Sequence, residues 1–339
     1  MRYPKFLSST DTIGFIAPAF GCSIEPYKTA FNHGVEKLQE LGHKVQLGPN
    51  CYAGEGIGIS NTPELCAKEF MDMWCDDRNA ALFSCGGGEL MCEILPYLDF
   101  EKIKEAEPKW FMGYSDNTNL GLLLATLCDT ASVYGPNAPA FGMEPWHSSV
   151  QDAYDLVRGN KLCFESYDGW QLESLKTEEE PLLPYNITEQ PSIRTVNMNQ
   201  AFTGRLLGGC MDIVANLIGT RFDQVNEFID RYAGDGVIWF LEACDLSLMS
   251  IRRALWSMEQ AGYFRHVKGF IIGRPLHYAE EAFGLDRYTA VTSVLEKYGV
   301  PVVLDMDLGH LPPTMPMVNG AVATVSAEAY KVQVQMKLQ

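Results

Sequence analysis

Short apolar runs alternate with amphipathic stretches of helical length through the first 150 residues. The predicted strands are residues 12–18, 43–47, 80–84 and 109–113, and the predicted helices are residues 26–41, 62–76, 90–98 and a helix that begins near residue 118. Strands that alternate with helices of this length form a parallel sheet with helices on both faces. We therefore expect an open α/β domain of the flavodoxin or Rossmann type over residues 1–150.

The periodicity is lost between residues 151 and 200, where prolines and the acidic run Glu178–Glu180 interrupt it. A segment of this length without regular structure is usually a functional loop or a linker. We expect a connecting segment that reaches over the active site. Residues 201–339 then predict a mixed α and β domain. Its predicted helices are 211–218 and 247–261, its predicted strands are 236–241 and 269–273, and residues 321–337 alternate as antiparallel strands do.

Ser115 lies where the apolar run from Trp110 to Gly113 gives way to a polar corner. Ligands of open parallel sheets bind beyond the carboxyl ends of the strands, which is where Ser115, Pro18 and Gly86 are expected. A serine displayed there is a candidate nucleophile, provided that a neighbouring base activates it. The alternative is that Ser115 or Asp116 caps the following helix.

Glu242 and His310 each follow an apolar run in the C-terminal half and are the candidate partners of Ser115. The order serine, acid, histidine is one of several that unrelated hydrolases use for the same geometry. As alternatives, Glu242 is a solvated carboxylate and His310 is a loop histidine.

Asp305, Asp307 and His310 also form a pattern that a metal ion could use. No fourth ligand is evident, and the spacing matches no established metal signature. We therefore expect no metal site.

The loop Cys85–Glu89 contains three consecutive glycines, which let a backbone approach a substrate closely. The N–H of Gly87 or Gly88, together with that of Asp116, could stabilise the oxyanion of an acyl transfer. A tight turn and a phosphate-binding loop are the alternatives. The second is weak, because the chain contains neither a G-x-G-x-x-G followed by a ribose-binding acid nor a G-x-x-x-x-G-K-[ST].

The composition of the chain limits the kinds of molecule that it is expected to bind and the compartment in which it is expected. The chain has 339 residues and a net charge of -17, which argues against a nucleic-acid partner, because such binding needs clustered Lys and Arg. Its 10 cysteines include no C-x-x-C pair and are expected to be reduced. No secretory segment and no apolar stretch of membrane-spanning length is evident, so we expect a cytoplasmic protein without a membrane partner.

Taken together, these motifs resemble the LD-carboxypeptidase family of serine peptidases, which includes the microcin C self-immunity peptidases. The matching motifs are Gly14–Pro18, Gly87–Gly88 with Leu95–Asp99, Gly113–Asp116, Gly204–Gly209, Leu241–Glu242 and Leu308–His310. They cover nearly the whole chain in the right order.

The resemblance implies a two-domain cytoplasmic hydrolase that is commonly a homodimer and needs neither metal nor cofactor. It places the nucleophile on Ser115, the triad acid on Glu242 and the base on His310. The oxyanion hole would be the Asp116 N–H and a glycine N–H of the Gly87–Gly88 pair. Since His310 must be neutral to act as a base, activity should fall as the pH drops through its pKa, ordinarily about 6.5.

The expected substrate is a small murein-type peptide. Family carboxypeptidases that trim the terminal D-alanine of murein tetrapeptides often carry Gly-Gly-Tyr-Gly in the glycine loop, whereas this chain has the run Gly87–Leu90 with Glu89 at the third position. The alternative is a peptidyl or aminoacyl nucleotide, as in the immunity branch, where loop aromatics stack on the base. Trp170 is the candidate for stacking, and local packing is its alternative role. A further hypothesis is a non-catalytic protein that binds a small peptide or nucleotide.

Overall fold

The N-terminal part of the chain alternates strands and helices as the pattern predicts. The computed structural model describes residues 1–328 and 331–339. The first elements are β1 (Thr12–Ile16), α1 (Tyr27–Glu40), β2 (Lys44–Leu47), α2 (Pro63–Trp74), β3 (Asn79–Ser84), α3 (Phe100–Glu105), β4 (Trp110–Gly113), α4 (Thr118–Thr126) and β5 (Ser132–Tyr134). The start of helix α2 is determined by its sequence, because the Thr62 side chain accepts a hydrogen bond from Leu65 N and Pro63 occupies the first turn.

The helix expected over residues 90–98 is instead a 3₁₀ helix, Met91–Tyr97. Pro96 lies inside it, and a proline has no N–H to donate to the preceding turn of an α-helix. A 3₁₀ run of this length is uncommon. Other 3₁₀ helices are Ser115–Asn117, Ala138–Gly142 and Glu296–Tyr298.

The segment expected to lack regular structure contains some. Helix α5 (Ser148–Val157) runs across residue 150, and β6 (Cys163–Glu165) and β7 (Arg194–Val196) follow it. Both strands are only three residues long and pair with opposite edges of the C-terminal sheet. The segment therefore belongs in part to that sheet, and its longest stretch without a helix or strand is residues 166–193, between the two strands.

The C-terminal half is mixed, as predicted. Its elements are β8 (Phe202–Cys210), α6 (Met211–Leu217), α7 (Val225–Arg231), β9 (Val237–Glu242), α8 (Leu248–Gln260), β10 (Val267–Gly273), α9 (Arg287–Leu295), β11 (Val302–Met306), β12 (Met317–Asn319), β13 (Val322–Glu328) and β14 (Lys331–Lys337).

The strands form two sheets. The first has the order β12-β5-β4-β3-β1-β2 and is parallel except for β12. The second has the order β6-β14-β13-β8-β9-β10-β11-β7, with a parallel centre, β8 to β11, and antiparallel strands on both sides. The predicted fold class is thus confirmed. Strand β12 was not expected in the first sheet, because it comes from the C-terminal half.

Contacts between the two sheets bring their strand ends together. The Thr118 hydroxyl of α4 accepts a hydrogen bond from Cys210 N at the end of β8, at 2.9 Å. Asn319 of β12 accepts one from Gly208 N at 2.9 Å and is buried. Within the described residues, no helix is both long and apolar enough to span a membrane.

Candidate active site

Ser115 lies at a strained turn directly after β4. Its φ is 64°, a left-handed conformation that costs a residue with a side chain on the order of 1–3 kcal/mol. The turn is held by Asn117, whose Nδ2 donates to Gly86 O at 2.7 Å and to Tyr114 O at 3.1 Å. The Ser115 side chain caps no helix, because α4 has no side-chain cap. The corner instead presents the hydroxyl towards the second sheet.

His310 and Glu242 complete a continuous hydrogen-bonded line from Ser115. The Ser115 Oγ lies 2.9 Å from His310 Nε2, and His310 Nδ1 lies 2.9 Å from Glu242 Oε2. An ionised carboxylate only accepts hydrogen bonds, so the ring proton belongs on Nδ1 and Nε2 is free to accept the serine proton. The structure thus brings together the three residues that the sequence selected.

Glycine backbone makes room for this line. Gly309, at φ 104°, immediately precedes His310, and a methyl group on it would lie 2.5 Å from Glu242 Oε2. Any larger residue there would both strain the backbone and displace the carboxylate. The Gly309 position therefore fixes how closely the His310 loop approaches β9.

The charges of the buried pair reinforce each other. The Glu242 side chain is fully buried, which would raise its pKa, but the facing imidazole and several hydrogen bonds hold the pKa below the ordinary value. Burial lowers the pKa of His310, yet the charge of Glu242 and hydrogen bonds with Cys244 and Glu242 outweigh it and raise the pKa. A protonated His310 is thus stabilised more than an ordinary histidine.

The glycine loop lies against the serine. A methyl group on Gly87 would be 3.1 Å from Ser115 Cβ and 3.2 Å from Oγ, whereas one on Gly88 would meet Gly58 O and the Asp116 carboxylate. Gly87 therefore lines the space in front of the hydroxyl, and Gly88 faces away from it. Among the hydrogen bonds of the described residues, none uses the backbone N–H of Gly87 or Asp116.

The Asp116 side chain supports the turn from behind. Its carboxylate accepts hydrogen bonds from Met91 N at 2.9 Å and from Asn119 Nδ2 at 2.8 Å. Burial raises the pKa of Asp116 to about 6, although these bonds oppose the shift. The carboxyl thus ties the serine turn to the 3₁₀ helix Met91–Tyr97.

Trp170 does not face solvent. Its side chain is 2% exposed, its indole N–H donates to Gln190 O at 2.9 Å, and its ring contacts Tyr278 and the guanidinium of Arg274. In this arrangement the ring packs the segment after β6 against the second sheet. Its role in substrate binding stays a prediction.

The two aspartates that precede His310 bind arginines. Asp307 pairs with the buried Arg274 at 2.7 Å, and Asp305 accepts from Arg287 at 3.1 Å. They do not converge with His310. Within the described part of the chain, no cluster of three or more acidic, histidine or cysteine side chains has the geometry of a metal site.

Sequence reasoning missed Tyr134, the last residue of β5. Its hydroxyl donates to Glu242 Oε1 at 2.5 Å and accepts from Ser115 N at 3.3 Å. The available signal was its position, because β5 follows the serine strand and Tyr134 precedes a Gly-Pro turn.

Comparisons with known proteins identify the family of the chain. A model of the LD-carboxypeptidase N-terminal domain matches residues 13–135, and a model of the C-terminal domain matches residues 203–325. The microcin C7 self-immunity protein MccF of Escherichia coli is 26% identical over 336 residues, covering 92% of this chain and 90% of that protein. A probable murein peptide carboxypeptidase of Bacillus subtilis is 26% identical over 328 residues, covering 95% and 91%.

Solved structures share the fold. A MccF-like protein from Bacillus anthracis superposes with a TM-score of 0.84 at 24% identity, covering 99% of this chain and 100% of that one. MccF in complex with glutamyl sulfamoyl guanosine gives 0.82 at 21% identity, covering 100% and 98%. Since the two family models together match well over half of its residues, the chain belongs to the LD-carboxypeptidase family and is a serine-type amide hydrolase.

Proposed function

We propose that Ser115, His310 and Glu242 form the catalytic triad with which this chain hydrolyses an amide bond. The observation that carries the proposal is the continuous line from Ser115 Oγ through the imidazole to Glu242, with both separations at 2.9 Å. The left-handed turn at Ser115 is the second support, because strained backbone of this kind concentrates at functional sites.

In the acylation step His310 Nε2 takes the Ser115 proton while Oγ attacks the substrate carbonyl carbon. The carbonyl π electrons move onto oxygen, and the N–H groups of Gly87 and Asp116 stabilise the resulting oxyanion. The imidazolium then protonates the amide nitrogen as the C–N bond breaks and the amine leaves. Glu242 stabilises the imidazolium throughout and keeps its own charge.

In the deacylation step water takes the place of the serine hydroxyl. His310 removes a proton from water as the oxygen attacks the acyl carbon, and a second oxyanion forms at the same N–H groups. When this intermediate collapses, the bond to Ser115 Oγ breaks and the imidazolium returns the proton to the serine. The products are a free carboxylate and the restored enzyme.

For the substrate we propose a murein-type peptide, with an aminoacyl or peptidyl nucleotide as the second candidate. The first follows the Bacillus subtilis relative, which is named as a probable murein peptide carboxypeptidase. The second follows MccF, which matches this chain at the same identity and has been solved with glutamyl sulfamoyl guanosine and with aspartyl sulfamoyl adenosine. The departure at Glu89 from the Gly-Gly-Tyr-Gly pattern favours keeping the second candidate.

Nucleotide binding by Trp170 would require movement of its segment. The ring is buried between Arg274 and Tyr278, so a base can stack on it only after one of these contacts opens. If Trp170 stacks, Trp170→Ala should raise KM for a nucleotide conjugate and leave KM for a murein tetrapeptide unchanged. An equal change for both substrates would assign the ring to packing.

The deciding experiment incubates the enzyme with a murein tetrapeptide and, separately, with a phosphoramidate-linked aminoacyl nucleotide, and identifies the products by mass spectrometry. Wild type is compared with Ser115→Ala and with Ser326→Ala, a serine on β13 far along the chain from the turn. We expect the control to match wild type and Ser115→Ala to lose turnover. Release of D-alanine supports the carboxypeptidase, and cleavage of only the conjugate supports the nucleotide hydrolase.

The non-catalytic alternative gives a different result. A binding protein would cleave neither compound, and its affinity for one of them, measured by calorimetry, would be the same in wild type and Ser115→Ala. That outcome would overturn the proposed triad. Turnover that persists in Ser115→Ala would also overturn it.

A further inference from the structure

Tyr134 connects the two ends of the candidate triad. Its hydroxyl donates to Glu242 Oε1 at 2.5 Å, while the Ser115 N–H donates to the same hydroxyl at 3.3 Å. Glu242 Oε2 faces His310, which in turn faces the Ser115 hydroxyl. The hydrogen bonds therefore form a closed ring that leaves Ser115 through its side chain and returns through its backbone.

The position of the Tyr134 side chain is fixed by strand pairing and by packing. Tyr134 pairs with Gly113 in the β4–β5 register and is 2% exposed. Its ring contacts Phe240 of β9 at 5.8 Å between centroids and Tyr114 at 6.3 Å. A buried phenol that spans two sheets and uses both its donor and an acceptor position has little freedom to reorient.

Two consequences follow from the ring. The carboxylate of Glu242 has one oxygen on Tyr134 and the other on His310, so the plane of the group is fixed from both sides. The backbone of Ser115 is held in its left-handed conformation by a bond from its own N–H. That N–H is thereby turned away from the oxyanion, which leaves the Gly87 and Asp116 N–H groups to stabilise it.

We propose that Tyr134 is a positioning residue of the active site, whose hydroxyl aligns Glu242 with His310 and holds the strained turn of Ser115. The inference rests on the proposed triad and adds to it a residue that touches no substrate. It also explains how a catalytic line that draws on both sheets keeps its geometry.

The titratable groups around Tyr134 and His310 determine the effect of removing the Tyr134 hydroxyl. Glu242 and the Cys210 thiol face Tyr134 from β9 and β8, and Glu242, Cys244 and the Tyr114 ring surround His310. Burial and the Glu242 charge raise the pKa of Tyr134 well above its ordinary value, so the phenol keeps its proton. Without the phenol donor the carboxylate concentrates its charge on His310, which then holds its proton to higher pH.

The test is Tyr134→Phe, which deletes the hydroxyl and keeps the ring. The matched control is Tyr263→Phe, since Tyr263 is also fully buried and donates to a carboxylate, Asp223 Oδ1, at 2.6 Å, but packs on Trp239 away from the turn. We expect kcat to fall by up to about 100-fold in Tyr134→Phe, the size of loss that a small misplacement of a catalytic group can cause. We expect KM to stay within about twofold of wild type. The acid limb of the pH profile, where kcat/KM falls as His310 becomes protonated, should move to higher pH. In Tyr263→Phe the acid limb of kcat/KM should stay at the same pH as in wild type.

A second measurement covers the case in which Tyr134→Phe folds poorly. In wild type, loss of the hydroxyl lets the strained turn relax and recover part of its strain, whereas in a Ser115→Gly background the turn is unstrained and has nothing to recover. Tyr134→Phe should therefore lower the thermal midpoint less in wild type than in the Ser115→Gly background. Equal losses in the two backgrounds would show that Tyr134 does not hold the turn.

The outcomes separate the two proposals. If wild type cleaves neither compound, the triad fails and the inference fails with it. If wild type is active and Tyr134→Phe keeps its kcat and its pH profile, the triad stands and the inference is overturned. Equal losses of kcat in Tyr134→Phe and Tyr263→Phe, with no movement of the limb, would assign Tyr134 a general packing role and also overturn it.

Discussion

Replacing Glu242 by Gln removes one negative charge from a fully buried site and leaves the shape of the side chain almost unchanged. In wild type the carboxylate raises the pKa of His310, so the acid limb of activity should lie above the roughly 6.5 of an unperturbed histidine. In Glu242→Gln burial of His310 is no longer opposed by a charge. Burial disfavours the imidazolium, so the limb should move to lower pH.

The size of this effect follows from the distance between the charges. His310 Nδ1 and Glu242 Oε2 are 2.9 Å apart. This places the charge centres about 4 Å apart, where two unit charges interact by about 4 kcal/mol at an effective dielectric of about 20. At about 1.36 kcal/mol per pH unit, the limb should move by about 3 units. The imidazolium of the transition state loses the same stabilisation, so kcat should fall roughly 10³-fold.

The assay is the pH dependence of kcat/KM, measured with the substrate that wild type cleaves. Glu259→Gln is the control, because Glu259 lies on α8 outside the candidate site and its change removes the same charge from an ion pair with Lys297. We expect the control to keep the wild-type limb and kcat. If Glu242→Gln lost activity but kept the wild-type limb, the charge of Glu242 would not set the pKa of His310, and the electrostatic reasoning would be refuted.

Three further predictions concern the turn, the glycine loop and a buried carboxylate. The free energy of unfolding, measured by urea titration, should be about 1–3 kcal/mol higher for Ser115→Gly than for Ser115→Ala, because only glycine is unstrained at φ 64°; equal stabilities would contradict this. Gly87→Ala should lower kcat by up to about 100-fold, because its methyl group would lie 3.2 Å from Ser115 Oγ and would displace the hydroxyl; an unchanged kcat would contradict this. Burial raises the pKa of Glu69 from 4.5 to about 7, so the folded state keeps a proton that the unfolded chain releases above about 4.5. Its contribution to stability is present below that pH and should fall by about 3 kcal/mol as the pH rises through about 7; Glu69→Gln should flatten this part of the slope in urea titrations at pH 5 and pH 8, and an unchanged slope would contradict the assignment.

Much of the candidate site could be predicted because each of its members follows an apolar run. Ser115 follows β4 and Glu242 ends β9, while His310 lies four residues after β11. Ligand-binding residues of parallel sheets lie at the carboxyl ends of the strands, so each of the three was expected at a strand end. That the strand ends of two different sheets face each other is determined only by the tertiary structure. The parallel arrangement of the first four strands followed from the same alternation, whereas the three-residue strand β5 was not predicted.

Other features depend on contacts that periodicity does not contain. Tyr134 has the pattern of an ordinary strand aromatic, and its partner Glu242 lies 108 positions away on the other sheet. Strands β6, β7 and β12 have three residues each, too few to show an alternation, and they exist because a sheet edge is present to pair with them. Trp170 is buried because Arg274 and Tyr278 cover it, which only the tertiary structure determines.

The proposed triad depends on how firmly the two sheets are joined. Ser115 and Tyr134 belong to the first sheet, whereas Glu242 and His310 belong to the second, so a small separation would break both the 2.9 Å bond to Ser115 and the 2.5 Å bond to Tyr134. Strand β12 opposes such a separation. It pairs with β5 in the first sheet, and its Asn319 accepts from Gly208 of the second. The C-terminal half thus contributes an edge strand to the N-terminal sheet a few residues after His310, which makes the position of the base a consequence of sheet pairing.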